Sequence, residues 1–113
     1  MLCGYDYGHT IPRVANAHFY HHDETHGTGW SDACKQWHAV NLIAYHQCDI
    51  ILGDFNIDPC SFCLPPGYQA FGPWDGIIFN TAKVSLRNCD IFPAYRMWLS
   101  DHDWYVFTLD LVA

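Results

Sequence analysis

The chain of 113 residues is long enough for one domain with a single core, and with half its residues apolar and 17% aromatic it is not a disordered, charge-dominated segment. Its formal charge of −7, with Arg13, Lys35, Lys83, Arg87 and Arg96 as the fixed cations, lacks the basic footprint of a dedicated nucleic-acid binder, although a bound divalent cation would invert that field locally. No apolar run reaches the roughly 20 residues needed to span a bilayer. Met1 to Asp6 has neither the basic head nor the apolar segment of a signal peptide. The expectation is therefore a cytoplasmic chain whose six cysteines are reduced.

In chain order, residues 1–12 carry Gly4, Gly8 and Pro12 without periodicity and read as an irregular lead-in. Arg13 to Tyr20 is a strand ending in polar groups. His21 to Gly29 is a loop; His21, His22, Asp23 and His26 are metal-ligand types, but a solvated histidine-rich loop accounts for them at least as well. From Trp30, the residues Trp30, Ala33, Cys34, Trp37, Val40, Ile43 and Ala44 recur at helical spacing. Thr28 or Ser31 caps the helix, its end falls near Gln47, and its aromatic stripe is expected in the core.

Cys48 to Ile57 is the most informative run. Ile50 to Leu52 has the branching of a buried strand, and Gly53 allows a sharp backbone change that lifts Asp54 and Asn56 out of the sheet. Continued extension would point Asp54 and Asn56 the same way, whereas an Asx-rich turn would engage both with local backbone. The prolines of Asp58 to Gly67 make a compact loop. Within it, Cys60 and Cys63 form a C-x-x-C that lacks the second pair a structural zinc site needs.

Tyr68 to Phe71 is a brief strand, Gly72-Pro73 a turn and Trp74 to Asn80 a buried strand. Val84 to Phe92 is a weaker strand and Arg96 to Leu99 a short extended piece. After the polar loop Ser100 to Asp103, a last strand from Trp104 to Val112 places Tyr105, Phe107, Leu109 and Leu111 on one face. Asp103 and Asp110 fall at surface or edge positions. The order of one helix among several strands predicts an α/β layered fold with mainly antiparallel strands.

Four polar clusters lie at or beside strand ends: Asn16 with His18, Asp54 with Asn56, Asp75, and Asp101 with His102. Asp, Asn and His without an activated Ser or Cys suit metal-assisted attack of water on a phosphoester. That reaction needs a hard cation on carboxylate oxygen, a group that orients water and a donor for the charge developing on phosphate.

Leu52-Gly53-Asp54-Phe55-Asn56, Trp74-Asp75-Gly76-Ile77-Ile78-Phe79 and Ser100-Asp101-His102, preceded by Asn16-Ala17-His18-Phe19, resemble the ordered signature of the endonuclease/exonuclease/phosphatase (DNase I-like) superfamily. The resemblance covers residues 13–113 as a partial domain and implies half of a four-layer α/β sandwich. It implies hydrolysis of a phosphoester, most often a phosphodiester, with Mg²⁺ or Mn²⁺. The substrates of such enzymes span DNA, RNA, lipid and inositol phosphates.

By the same resemblance, Asp54 orients or deprotonates the attacking water, and Asn56 contacts a phosphate oxygen. Asp101 helps bind the metal, and His102 acts at the scissile phosphate. Asp75 orients His102, and His18 donates to the phosphate as charge develops. Glu24, the only glutamate, does not stand where the superfamily's metal-binding glutamate does, and an early asparagine-bearing strand is lacking. The metal site is thus expected to be weak or completed by a partner. The alternative is a catalytically impaired half-domain that self-associates or packs on its missing half through an exposed sheet edge and apolar face.

Overall fold

The computed structural model describes residues 11–23 and 25–112. Most of the expected lead-in and Glu24 therefore lie outside the described residues. The elements in order are β1 (Val14–His18), α1 (Asp32–Ala44), β2 (Ile50–Asp54), a single 3₁₀ turn (Pro59–Ser61), β3 (Tyr68–Phe71), β4 (Asp75–Asn80), β5 (Val84–Phe92) and β6 (Trp104–Leu111). Mixed α/β content with mostly antiparallel strands is as expected, and it is arranged as two sheets: a four-stranded sheet in the order β1-β2-β4-β3 and the ribbon β5-β6.

Strand β1 runs parallel to β2, a pairing that needs a long crossover, which α1 supplies. The β2–β4 and β3–β4 pairs are antiparallel. Alternation along β2 divides the core. Ile51, with Ala15, Ala17 and Ile78, packs toward Ala39 and Ile43 of α1. Ile50 and Leu52, with Ile77 and Phe79, pack toward Val84, Leu86, Phe107 and Leu109 of the ribbon. The helix thus covers one face of the central sheet and the ribbon the other. This explains why Ile50 and Ile51 are both buried: a strand covered on both faces reads as a continuous apolar run.

Ser31 caps α1 by accepting from the Cys34 N–H. The helix ends at Ala44, and the left-handed Gln47 (φ 53°) follows. The aromatic stripe is only partly core. Trp30 packs against the core and stacks on His38 at 3.7 Å, but Trp37 is 61% exposed. The buried stripe is instead Lys35, Ala39 and Ile43, whose spacing of four lies on one helical face. Arg96 to Leu99 is not extended: residues 94–99 form successive turns, tied by the Leu99 N–H to the Ala94 carbonyl at 3.0 Å. On β6, Phe107 and Leu109 pack inward as expected, while Leu111 is exposed.

Gly53 does not turn the chain. It stays within β2 at φ 142°, and a Cβ there would stand 1.9 Å from the Ala17 carbonyl oxygen. The glycine is needed for this close approach of β1 and β2. Gly53→Ala should therefore destabilise the fold by about 2 kcal/mol or more, from backbone strain and steric conflict together, read as a lower urea midpoint. An unchanged midpoint would contradict this packing.

Candidate active site

The antiparallel register places Asp54 of β2 directly opposite Asp75 of β4, next to the glycine pair Gly53 and Gly76. Two residues on from Leu52 and two before Ile77, both carboxylates rise on the ribbon side of the sheet. Like charges opposite one another oppose pairing, and both side chains are largely buried, at 16% and 23% exposure.

The loop entering β6 brings His102 between them. Its Nδ1 lies 2.8 Å from Asp75 Oδ2, and its Nε2 lies 3.6 Å from Asp54 Oδ2. The first distance is a hydrogen bond; the second is an ion-pair separation. Since a carboxylate only accepts, Nδ1–H is the donor to Asp75, which leaves Nε2 toward Asp54. The Asp75 hydrogen bond raises the His102 pKa above its ordinary 6.5 against the opposing effect of burial, and the charges of Asp75, Asp54 and Asp101 add to the rise.

His18, at the end of β1, brings Nε2 to 3.7 Å from the same Asp54 Oδ2, with its side chain 80% exposed. Asn16, His18, Asp54, Asp75, Asp101 and His102 together line one open depression of about 400 Å³. The structure thus brings together His18, Asp54, Asp75, Asp101 and His102. Asn56 is placed apart: it is left-handed (φ 51°), and its Nδ2 donates to the Phe19 carbonyl at 2.6 Å. The expected shared direction of Asp54 and Asn56 fails because β2 ends at Asp54. The Asn56 N–H instead donates to Asp54 Oδ1 at 2.9 Å. This Asx turn engages one Asp54 oxygen and leaves Oδ2 to the histidines.

Several contacts fix this corner. The Phe19 N–H donates to the Asp54 carbonyl at 2.9 Å, and the Phe55 N–H donates to that of Trp74 at 2.8 Å. Phe55, wholly buried, packs edge-on against Phe19 and Phe62. Lys35, only 2% exposed, donates from Nζ to the Asn56 carbonyl at 2.9 Å and pairs with Asp32 at 3.7 Å. Its role was not inferred from sequence. The available signal was a lysine in line with Ala39 and Ile43, at a spacing of four.

Asp54, Asp75 and His102 are the only group of three or more potential ligands among the described residues, with ligand atoms within 4.8 Å of one another. In the histidine-rich loop, Asp23 pairs with His26 at 2.7 Å and also accepts from the Thr25 N–H, which holds the Asp23 carboxyl below its usual range. Cys60 and Cys63 are exposed. Partial burial and the neighbouring Asp58 push the Cys60 thiol up, away from ready thiolate chemistry. Asp103 accepts from the Tyr95 N–H, and Asp110 pairs with Arg87, in keeping with surface roles.

No family model, curated protein or solved structure matches the chain. No helix among the described residues is long and apolar enough to cross a membrane.

The raised His102 pKa has a definite sign for stability. The folded value exceeds the unfolded one, so the pair's contribution is full below pH 6.5 and is lost as pH rises through the folded value. Asp75→Asn removes the main cause. In an NMR titration His102 should titrate above 6.5 in the wild type and measurably lower in Asp75→Asn; equal midpoints would contradict the hydrogen bond.

Proposed function

We propose that the chain hydrolyses phosphoesters, phosphodiesters foremost, with a divalent cation, as a partial domain of the endonuclease/exonuclease/phosphatase type whose motifs it resembles. The observation that carries this reading is the meeting of four separate segments in one depression: the ends of β1, β2 and β4, and the loop before β6. Turn-capping aspartates and surface histidines have no reason to converge. A site for water attack on phosphorus does.

The donor set fits a hard cation. Mg²⁺ takes oxygen ligands, commonly one or two carboxylates, with the remainder from water and substrate phosphate. Asp101 would hold it, with the Asp75 oxygen not bonded to His102 beside it. Bound there, the cation would lower the pKa of water and polarise the phosphoryl oxygen.

Asp54 Oδ2 accepts the proton of the attacking water while Oδ1 stays anchored by the Asn56 N–H; the ester P–O bond breaks as the water oxygen bonds phosphorus, and the leaving alkoxide takes a proton from solvent. Asp75 holds the His102 Nδ1–H and favours the imidazolium, whose Nε2–H meets a non-bridging phosphate oxygen. His18, on the open side, donates to a second oxygen as charge accumulates. Asn56 reaches phosphate only by releasing the Phe19 carbonyl. In the arrangement described it serves instead as the clamp on Asp54.

A second reading draws on a different observation. Phe92, Trp98, Leu99, Trp104 and Val106 are all at least 40% exposed, Trp98 at 94%. Such a surface favours a half-domain that packs on a partner, which would also complete the metal site.

Purified chain with Mg²⁺ should hydrolyse bis(p-nitrophenyl) phosphate. Asp54→Ala and His102→Ala should each lower the rate by about 100-fold or more, and a chelator should abolish activity until Mg²⁺ is restored. A wild-type rate that survives chelation, or near-full activity in both variants, would overturn the proposal.

A further inference from the structure

Among the described residues β6 is hydrogen-bonded to β5 alone, so each strand of the ribbon has one open edge. An open edge presents a row of unpaired N–H and C=O groups, and proteins ordinarily blunt it with charge, proline or a bulge. The edge of β5 is blunted in this way. The register shift between Leu86 and Asn88 leaves Arg87 out of the ladder, and Asp90 adds a second charge. The edge of β6 carries no such device. Trp104 to Leu109 is six uncharged residues, all aromatic, β-branched or leucine, without glycine or proline, a composition that pairs readily with another strand. The single charge of β6, Asp110, is held by Arg87 of β5.

The surface beside that edge narrows what pairs with it. On the face of the ribbon turned away from Phe107 and Leu109, Phe92 and Trp104 stack across the two strands at 5.1 Å, and Val106, 57% exposed, follows two residues on. The turns that join β5 to β6 add Tyr95, Trp98 and Leu99, all mostly exposed. Scaled from full aromatic side chains, these six present on the order of 700 Å², close to the roughly 800 Å² per partner of a stable interface.

A second copy matches both the edge and the surface. A two-fold axis lays β6 antiparallel to the β6 of the other copy, so the unblunted edge is its own complement. Residues directly opposite share a face of the sheet, which places the axis at a residue rather than between two. At Val106, the paired stretch is Trp104 to Thr108 and carries no charge. One step toward the C-terminus sets Trp104 opposite Asp110, and one step the other way shortens the stretch to Trp104–Val106. The net charge of −7 opposes association at long range but is screened at physiological ionic strength. We propose that a second copy of the chain pairs with the β6 edge about a two-fold axis at Val106, joining the two ribbons into one four-stranded antiparallel sheet. The inference builds on the partner surface described above and names the chain itself as that partner; it is independent of phosphoester hydrolysis.

Sedimentation equilibrium of the full chain over a concentration series should show a reversible transition from 13.0 kDa to twice that mass. Val106→Lys and Val106→Asp should each weaken the dimer by about tenfold or more, because each sets like charges opposite one another across the axis. Mixed in equal amounts, the two variants should form a heterodimer, and this rescue also shows that neither has lost its fold. Asn88→Lys, on β5, should leave the dimer intact. In a mixture of isotope-labelled and unlabelled chains, intermolecular NOEs should connect Val106 to Val106 and Trp104 to Thr108. A monomer throughout the series would overturn pairing with a second copy and leave the apolar surface to a different partner. A dimer that both charged variants retain, a mixture of them that stays monomeric, or open-ended association would overturn the two-fold axis at Val106.

Discussion

Two carboxylates are held side by side by the register of β2 and β4, and most of the site follows from that constraint. Asp54 and Asp75 face each other on the same side of the sheet. Like charges directly opposite one another oppose the pairing of two strands. The register cannot slip to relieve this. A shift of one residue would turn Ile51 and Ile78 away from the helix and Ile50 and Ile77 away from the ribbon, undoing both apolar layers. The apolar core thus enforces an electrostatically unfavourable pair, and the chain supplies a positive partner in His102.

Each neighbouring contact limits the freedom of that pair. The Asx turn takes one Asp54 oxygen, Asn56 is tied back to Phe19, and Lys35 holds the Asn56 carbonyl from the helix side. These bonds connect α1, β1 and β2 at a single corner. Phe55 anchors the same corner from beneath. In the proposed reaction, preorganisation of this kind would let a carboxylate and an imidazole act on a substrate without reorganising.

Much of this was legible in the sequence, for identifiable reasons. Ile50 to Leu52, Trp74 to Asn80 and Tyr68 to Phe71 announce strands because apolar and β-branched residues run between glycine and proline breaks, and β3 and β4 follow those limits closely. Asp54, Asp75, Asp101, His102 and His18 were legible as candidates because they stand in polar clusters at or beside strand ends, which converge in space, and in the order of the resembled motifs. What failed did so where pairing or tertiary contact overrides local pattern. Trp37 has the right period for the core, but the small Ala39 and the stem of Lys35 fit the sheet more closely. Asn56 appears to continue the strand only until the backbone turns left-handed, and Gly53 suggests a turn only until the Ala17 carbonyl is seen against it. The Asp54–Asp75 pairing itself cannot be read locally, since register is set by two strands 20 residues apart in the chain.

In the proposed reaction a divalent cation sits on Asp101 beside Asp54 and Asp75, with His102 at the phosphate. Paramagnetic broadening by Mn²⁺ in an NMR spectrum of the full chain tests it most directly, because the effect reports location rather than activity. Broadening should centre on the ends of β2 and β4 and on residues 100–103, competed away by Mg²⁺, with the loop from His21 to His26 little affected. Broadening centred on that histidine loop, or none at the strand ends, would contradict it.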